Sequence, residues 1–300
     1  MASLQPERVV AETRNWLQDP FNEQLMFEQP LAVLREFAAD RKSNPGEVLS
    51  SLTALSEWYG SKGIVEAFEG RSSESLCNSF WVDYFYNSMM KFSFLKAQKG
   101  KKGSLLGRAF GRNNESKPRI SFNDQGLLLA KAFALGMVSE GERIGHDSLT
   151  GLREGWFYGT SGNNLTPFVL SAFAKWKNIV LSQQEFPFVI AEGYSGLLQT
   201  LTQGPDAIRS AFFEACEFHL ARSRESNDRE TYEFANPIYA VYPVEILFVM
   251  RVRQLLGLSH PEVDHPLLYS PLAKLPTTSC SISPELKPIQ EKIERDYSVA

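Results

Sequence analysis

The sequence predicts a mainly α-helical, multi-helix globular protein with few or no strands. Apolar residues recur at steps of three and four along several segments, which is the spacing of one face of a helix. Hydrophobic residues make up 43% of the 300 residues and charged residues 22%, the proportions of a folded globular chain. Prolines recur after position 260, so the C-terminal tail is expected to wrap the surface in extended turns.

Residues 1–98 are predicted to form an N-terminal helical region. Leu31, Leu34 and Phe37 are spaced to share one helix face. One long helix is expected over residues 73–98, where seven aromatic side chains cover more than one face. Such a helix is expected to lie at the centre of the protein and to pack on several sides.

A basic, glycine-rich loop is predicted at residues 99–121, between the N-terminal region and a C-terminal helical domain at residues 122–300. Nine basic residues and one acidic residue lie between Lys91 and Arg119, whereas the rest of the chain has 22 basic and 34 acidic residues. Glycine at the density of this loop disfavours a stable helix. Charge asymmetry of this kind concerns the partners of a protein rather than its fold.

The C-terminal domain is predicted to contain a series of helices and a short strand at residues 156–158. The helix at residues 243–256 is the most clearly bounded, because Glu245 lies near its positive end and Gly257 follows its last turn. Glu245 shares a face with apolar residues, so we expect it to be partly buried with an internal hydrogen-bond partner. The other helices are expected at residues 124–135, 166–180, 190–201, 205–222 and 288–297.

Two serines lie in sequences close to a nucleophile elbow, the Gly-x-Ser-x-Gly turn of serine hydrolases. They are Ser161, in the run Gly-Thr-Ser-Gly, and Ser195, in the run Gly-Tyr-Ser-Gly. In both runs the second glycine comes one position early. This favours turn and helix-packing roles for the glycines over a catalytic role for the serines.

Four potential metal ligands lie together at His260, Glu262, Asp264 and His265. Metal sites need donor atoms that converge, and the proline after each histidine favours an extended path that separates neighbouring side chains. The sequence therefore predicts no metal site, no cofactor and no catalytic residue. A hydrolase or nuclease that uses Ser195 or this cluster stays open as an alternative.

The basic segment at residues 96–112 also permits a nucleic-acid interpretation, because lysines and arginines neutralise phosphates. Its glycines lack the order of a Walker motif, and Phe110 is its one aromatic residue for base stacking. The acidic remainder of the chain would repel a polyanion. Nucleic-acid binding is therefore not expected, and an adaptor that uses this segment is a second alternative.

Two groups of acidic residues are predicted to form the contact surface for a basic partner protein. Complementary charge speeds the encounter of two proteins and fixes their orientation. A solvated face without a binding role is the alternative for each group. The first-choice contact residues are Glu140, Glu142, Asp147, Glu225, Asp228, Glu230 and Glu233.

Cys77, Cys216 and Cys280 are far apart and odd in number, so we expect free, buried thiols in a reducing compartment. A secretory signal has a basic segment followed by an apolar run, and the first residues do not show this pattern. The apolar stretches at residues 80–95 and 238–258 are interrupted by charges. These features predict a soluble cytoplasmic protein without membrane contact.

The C-terminal third contains a series of short runs: Tyr239-Ala-Val-Tyr-Pro-Val-Glu-Ile-Leu247, Arg251-Val-Arg253, Leu256-Gly-Leu258, Asp264-His-Pro-Leu-Leu268 and Pro271-Leu272. Together they cover about 35 residues and resemble bacterial immunity proteins, which are encoded beside polymorphic toxins or type VI secretion effectors. The resemblance implies a mostly helical protein without enzymatic activity. It also implies that the protein binds one cognate toxin and blocks the active site of that toxin.

The expected function is therefore that of the immunity partner in an effector–immunity pair. The toxin is expected to be a nuclease that acts in the cytoplasm, because a nuclease has a basic substrate cleft that an acidic protein is able to occupy. An immunity protein needs no catalytic motif, which agrees with the sequence. A homodimer stays open as an alternative to a monomer.

Overall fold

The computed structural model describes residues 6–41, 44–71, 74–102, 119–224, 232–277 and 280–297, with the backbone alone for 99–102. The helices of this part of the chain are α1 (Pro6–Leu17), α2 (Pro20–Glu23), α3 (Gln29–Ala38), α4 (Pro45–Phe68), α5 (Glu74–Lys102), α6 (Phe122–Ala134), α7 (Val138–Glu154), α8 (Leu165–Lys177), α9 (Glu192–Thr200), α10 (Pro205–Ala221), α11 (Pro237–Val241), α12 (Val244–Leu255), α13 (Pro266–Tyr269) and α14 (Lys287–Asp296). A π-helical turn, Gln24–Glu28, joins α2 to α3, and a 3₁₀ turn, Pro271–Ala273, follows α13.

The prediction of a mainly α-helical protein is confirmed. Strand β1 (Ile120–Ser121) pairs in parallel with strand β2 (Phe157–Tyr158), and the two form one small sheet in the described part of the chain. The short strand expected at residues 156–158 is therefore present. None of the described helices combines the length and the apolar character that crossing a bilayer requires.

Helices α4 and α5 form the main helix pair of the N-terminal region. They approach closely at Gly63, where an added Cβ would lie 2.6 Å from Cγ of Leu76. Helix α5 runs through Gly100 to Lys102, and so enters the segment that the sequence predicts to be a loop. One glycine within a helix costs about 1 kcal/mol, and the neighbouring lysines are good helix formers. The rest of that segment, residues 103–118, lies outside the described residues.

Helix α6 lies at the centre of the core. Almost all of its residues are buried, and it packs against α5, α7, α8 and α12. Gly126 allows the contact with α8, because an added Cβ would lie 2.2 Å from the hydroxyl oxygen of Thr166. Side chains from both predicted regions of the chain, such as Leu34 and Phe248, contribute to one continuous hydrophobic core.

A disulfide joins Cys77 of α5 to Cys280, with Cα atoms 5.6 Å apart. This corrects the expectation of three free thiols, and Cys216 is the free, buried cysteine. The two linked cysteines are 203 residues apart, so their spacing carries no signal for pairing. The bond fastens the segment before α14 to α5. The Ser283 N–H reinforces the attachment by donating to the side-chain oxygen of Asn78 at 3.1 Å.

Candidate functional site

A cavity of about 280 Å³ lies where α4, α5, α6 and α11 meet. Glu57 of α4, Asp83 of α5 and Asp124 of α6 place three carboxylates along its walls. Tyr86 of α5 and Tyr239 of α11 add two aromatic side chains. We call this cavity, defined by these five residues, the acidic cleft.

The acidic cleft is formed by polar side chains at helical spacing on otherwise apolar helices. On α5, Ser79, Asp83 and Tyr86 follow one another at steps of four and three, so they share a face. On α6, Asp124 and Lys131 are seven residues apart and share a face for the same reason. Because α5 packs against α6, the two polar stripes meet.

Lys131 lies at the base of this network, with only 1% of its side chain exposed. Its Nζ donates to the hydroxyl oxygen of Ser79 at 2.6 Å and to Oδ2 of Asp83 at 2.8 Å. The same ammonium lies 6.0 Å from the centre of the Tyr239 ring, a cation–π distance. A buried ammonium requires compensation of this kind, and its pairing holds Asp83 in position.

Asp83 retains unused hydrogen-bonding capacity. Its Oδ2 accepts from Lys131, and its Oδ1 accepts from the hydroxyl of Ser56. An ionised carboxylate has about four acceptor positions. Asp83 is therefore able to accept further donors from a group that enters the cleft, and its side chain is 26% exposed.

Asp124 lies in the first turn of α6, after Ser121, whose hydroxyl oxygen accepts from the Asp124 N–H at 3.3 Å. Burial among the surrounding protein atoms, and then the negative charge of Asp83, raise the pKa of Asp124 to about 6, against the opposing effect of a hydrogen bond from Ser121. Because the carboxylate stands in a concave cleft, it is crowded by protein and still reached by water. No ion pair to Asp124 is formed among the described residues.

The negative charges of the cleft also raise the pKa values of its two tyrosines. Burial, and then the charge of Asp124, raise the pKa of Tyr86. Burial raises the pKa of Tyr239 well above its ordinary value, and the charges of Asp83 and Asp124 raise it further. Both hydroxyls therefore stay neutral at physiological pH, and the ammonium of Lys131 is paired with one of the three carboxylates, that of Asp83.

The arrangement suits the binding of a positive group better than acyl transfer. Ser79 is 1% exposed, accepts a hydrogen bond from Lys131 and donates one to the carbonyl of Ser56 at 2.9 Å. It is therefore closed to a substrate, and the lysine beside it is engaged by a carboxylate instead of being free to act as a base. Within the described ranges, no group of three or more His, Cys, Asp or Glu residues is placed to hold a metal ion.

The acidic residues predicted on α7 are largely paired. Glu142 contacts Nζ of Lys177 at 2.8 Å, and Asp147 contacts Nζ of Lys91 at 2.7 Å. Glu140 lies half-buried in the first turn of the same helix. Two of the three carboxylates are therefore balanced by lysines of neighbouring helices.

The second predicted group of acids divides into two parts. Glu225, Asp228 and Glu230 lie outside the described residues. Glu233 lies in the interior, with 4% of its side chain exposed. This position corrects the prediction that Glu233 belongs to an exposed contact surface. Its Oε2 accepts from Nε of Arg222 at 2.6 Å, and its Oε1 accepts from two nitrogens of Asn164, each at 2.8 Å. The charge of Glu233 is thus balanced by Arg222 inside the protein.

Among the described residues, neither candidate nucleophile is hydrogen-bonded to a general base. Ser195 lies in α9, and its hydroxyl donates to the carbonyl of Glu192 at 3.0 Å, as a helical serine commonly does. Ser161 is exposed in a turn between Gly159 and Gly162, both of which have positive φ angles. The glycines of this run are therefore turn residues, as expected.

The described residues of the candidate metal cluster are not placed to hold a metal ion together. His265 caps α13: its Nδ1 accepts from the Leu267 N–H at 3.2 Å, and its Nε2 lies 2.9 Å from Oε1 of Glu217. With both ring nitrogens engaged, His265 has none left for a metal. His260 is half-buried, and burial, followed by the charges of Arg253 and Arg251, lowers its pKa.

Glu245 has the internal partner that the sequence predicts, and it is more deeply buried than expected. Its Oε1 lies 2.7 Å from Nδ1 of His219, and both side chains are completely buried. Nε2 of His219 lies 3.2 Å from the carbonyl oxygen of Ala240, within hydrogen-bonding distance. The pair is closed to solvent and stabilises the contact between α10 and α12.

Comparisons with protein families, with curated proteins and with solved structures each found no match to this chain. The resemblance to immunity proteins therefore depends on the C-terminal runs alone. The acidic cleft was not identified from the sequence, although the stripe of Ser79, Asp83 and Tyr86 within an aromatic helix was a signal for it.

Proposed function

We propose that this chain is an immunity protein that binds a cognate secreted antibacterial toxin and blocks its active site. One observation carries the proposal. Tyr239, the first residue of the runs that resemble immunity proteins, lines the acidic cleft. The segment that suggests a toxin partner and the site with excess negative charge are therefore in contact.

The cleft supports a binding function because its charge is incompletely balanced. Glu57, Asp83 and Asp124 line the cleft, no described residue of its lining is basic, and the ammonium of Lys131 at its base is paired with Asp83 alone among the three acids. A basic group on a partner protein would restore the balance and would be attracted over a distance before contact. A nuclease effector, such as one delivered by type VI secretion, has a basic substrate cleft and is the partner class that we propose.

The compartment is part of the proposal. A nuclease target places the complex in the cytoplasm, whereas the Cys77–Cys280 disulfide is more typical of an oxidising compartment. Thiol labelling in intact cells, followed by mass spectrometry, distinguishes the two. Labelled Cys77 and Cys280 assign the protein to the cytoplasm, and an unlabelled, linked pair assigns it to an oxidising compartment.

Co-expression tests the proposed function. The product of the neighbouring reading frame is expected to arrest growth when expressed alone, and this chain is expected to restore growth and to co-purify with it. The variant Asp124→Arg should abolish protection, because it replaces the unpaired acid of the cleft with a positive charge. The matched control Asp206→Arg alters an exposed aspartate in the first turn of another helix, α10, and should protect normally.

The same assay separates an immunity protein from an enzyme. Ser195→Ala should protect as well as the natural chain, because the Ser195 hydroxyl is bonded to its own helix. Protection that is lost in Ser195→Ala, or a wild-type chain that protects against no neighbouring product, would contradict the proposal.

A further inference from the structure

We infer that the Cys77–Cys280 disulfide is a redox-sensitive switch that controls whether the C-terminal segment stays attached to α5. We call residues 280–297, which run from Cys280 through helix α14, the C-terminal strap. Reduction of the disulfide by a thiol releases the strap, whereas the rest of the fold stays intact. The inference concerns this chain alone and does not depend on the proposed function.

The disulfide is the covalent attachment of the strap to α5, and weaker contacts surround it. The Ser283 N–H donates to the side-chain oxygen of Asn78 at 3.1 Å. The hydroxyl of Tyr59 donates to Oε1 of Glu285. Hydrogen bonds of this kind add little net stability, because water offers the same bonds in the opened state. The start of the strap therefore depends chiefly on the disulfide and on Leu286, whose side chain is completely buried.

Helix α14 needs the rest of the protein in order to remain helical. It has 10 residues, and an isolated helix shorter than about 12 residues is marginal in water. It packs against α3 and α5, and Ile289 and Ile293 are its buried side chains. After it, the ring of Tyr297 contacts the rings of Phe37 and Phe92, with centroids 6.1 Å and 5.2 Å away. Release of the strap therefore unfolds α14 and uncovers apolar surface on α3 and α5.

The ion pairs of α14 do not replace the disulfide. Lys292 and Arg295 both contact Asp40, which follows α3, and Nη2 of Arg295 lies 2.9 Å from Oδ1 of Asp40. The side chains of Asp40 and Arg295 are both more than half exposed, and exposed pairs contribute little energy. These pairs orient the strap on α3, and they are too weak to keep it closed on their own.

The rest of the protein has a hydrophobic core of its own. Disulfides are needed mainly by small domains that bury too little apolar surface to fold without them. This chain has 300 residues and a continuous core with α6 at its centre. Loss of the single bond at the strap should therefore open the strap and leave the core folded.

Thiol–disulfide exchange at Cys280 opens the switch. Cys280 is partly exposed and Cys77 is buried, so Cys280 is the more accessible of the two. A thiolate attacks Sγ of Cys280, which breaks the S–S bond and releases Cys77 as a thiolate that takes up a proton. A second thiol then attacks the mixed disulfide, leaves joined to the first thiol, and frees the Cys280 thiol. The external thiols are oxidised to a disulfide, and the cysteine pair gains the corresponding electrons and protons.

Amide hydrogen exchange of the intact protein, measured by mass spectrometry, tests the inference. The oxidised protein is compared with the protein reduced by dithiothreitol. We expect exchange in α14 to become at least about tenfold faster on reduction, because the helix then opens without unfolding of the core. Helix α6 should stay protected over the same period. Removal of the reductant and addition of oxidised glutathione should restore the protection of α14.

Two variants assign the effect to this disulfide. Cys280→Ala should exchange like the reduced protein whether or not dithiothreitol is present. Cys216→Ala is the matched control, because it removes the free cysteine and leaves the disulfide in place. It should respond to reduction as the natural chain does.

Several results would overturn the inference. An unchanged exchange rate in α14 after reduction would show that the bond does not hold the strap. Equal loss of protection in α14 and α6 would show that the bond holds the whole fold. A disulfide that dithiothreitol reduces only when the core unfolds would show that Cys280 is closed to thiols.

Discussion

Helix α7 and the acidic cleft both carry several carboxylates, and the two regions balance these charges differently. On α7, Glu142 and Asp147 meet lysines supplied by α8 and α5. In the cleft, Asp83 forms an ion pair with a buried lysine. Asp124 is influenced by the negative charge of Asp83 and forms no ion pair with a described residue. The region richer in acidic sequence is thus the better neutralised of the two.

The difference shows that a run of acids in a sequence does not locate unbalanced charge. The neutralising residues come from other helices, such as Lys91, which is 56 positions from Asp147. Partly exposed pairs of this kind contribute little energy, whereas removal of a buried ammonium from a partly buried carboxylate costs much more. Substitutions in the two regions should therefore have effects of very different size.

The largest effect is expected for Lys131→Met. Removal of the buried ammonium leaves Asp83 in the cleft without its cation, which should lower the free energy of unfolding by about 3 kcal/mol. Denaturant titration followed by circular dichroism measures the loss. Lys177→Met, which removes the partner of Glu142 on α7, is the control and should cost less than about 1 kcal/mol. Equal losses would show that the two regions do not differ as described.

The next effect concerns Glu233, the predicted surface acid that lies inside the protein. Glu233→Gln removes the buried carboxylate charge that pairs with the guanidinium of Arg222, and should lower the free energy of unfolding by about 2 kcal/mol. Glu142→Gln, which opens a surface pair, should cost about 0.5 kcal/mol. If Glu233→Gln is as stable as Glu142→Gln, Glu233 is exposed on the surface and not buried.

A smaller effect of opposite sign is expected for Asp124→Asn. Burial and Asp83 raise the pKa of Asp124 to about 6, so the folded protein holds this proton more tightly than the unfolded chain. Between the ordinary aspartate pKa and about 6, the free energy of unfolding therefore falls as pH rises.

The Asp124→Asn variant has no carboxyl group to ionise at this position, so it does not lose stability in this way as pH rises. It should be more stable than the natural chain by about 1 kcal/mol at about pH 7, after allowance for the contact of this side chain with water. At about pH 4 the two proteins should be equally stable, because Asp124 is then protonated. Denaturant titrations at both pH values measure the difference. A variant that is less stable than the natural chain at the higher pH would contradict the description of the cleft.

The smallest effect is expected for Asp147→Asn, which tests the contact surface that the sequence predicts on α7. Its partner Lys91 also lies 5.5 Å from the centre of the Trp156 ring, so the lysine keeps one favourable contact. The free energy of unfolding should change by less than about 0.5 kcal/mol. The association rate with the toxin, measured by surface plasmon resonance, should be unchanged. A slower association rate would indicate that α7 is part of the interface with the toxin.

The helices were predictable because hydrophobic spacing is local. The buried position of Glu245 and the short strand at β2 followed from the same kind of evidence. The acidic cleft was not predictable in this way, because Asp83 and Lys131 are 48 positions apart and meet only when α5 packs on α6. A polar stripe within an aromatic helix indicates a site, but it does not show which helix completes the site.

The disulfide was missed for a related reason. Three cysteines allow three possible pairs, and the linked pair is separated by 203 positions. The odd count favoured free thiols, and the pairing depends on where the C-terminal segment returns to α5. Long-range contacts of this kind are fixed by the packed core and not by local sequence.

The pKa of the Asp124 carboxyl, measured by carbon-detected NMR with and without the bound partner, tests the central claim most directly. In the free protein the pKa should lie at about 6, because Asp124 is crowded by protein and by Asp83. A cation from the partner favours the ionised form, so the pKa should fall when the complex forms. An ordinary aspartate pKa in the free protein, unchanged in the complex, would contradict the account.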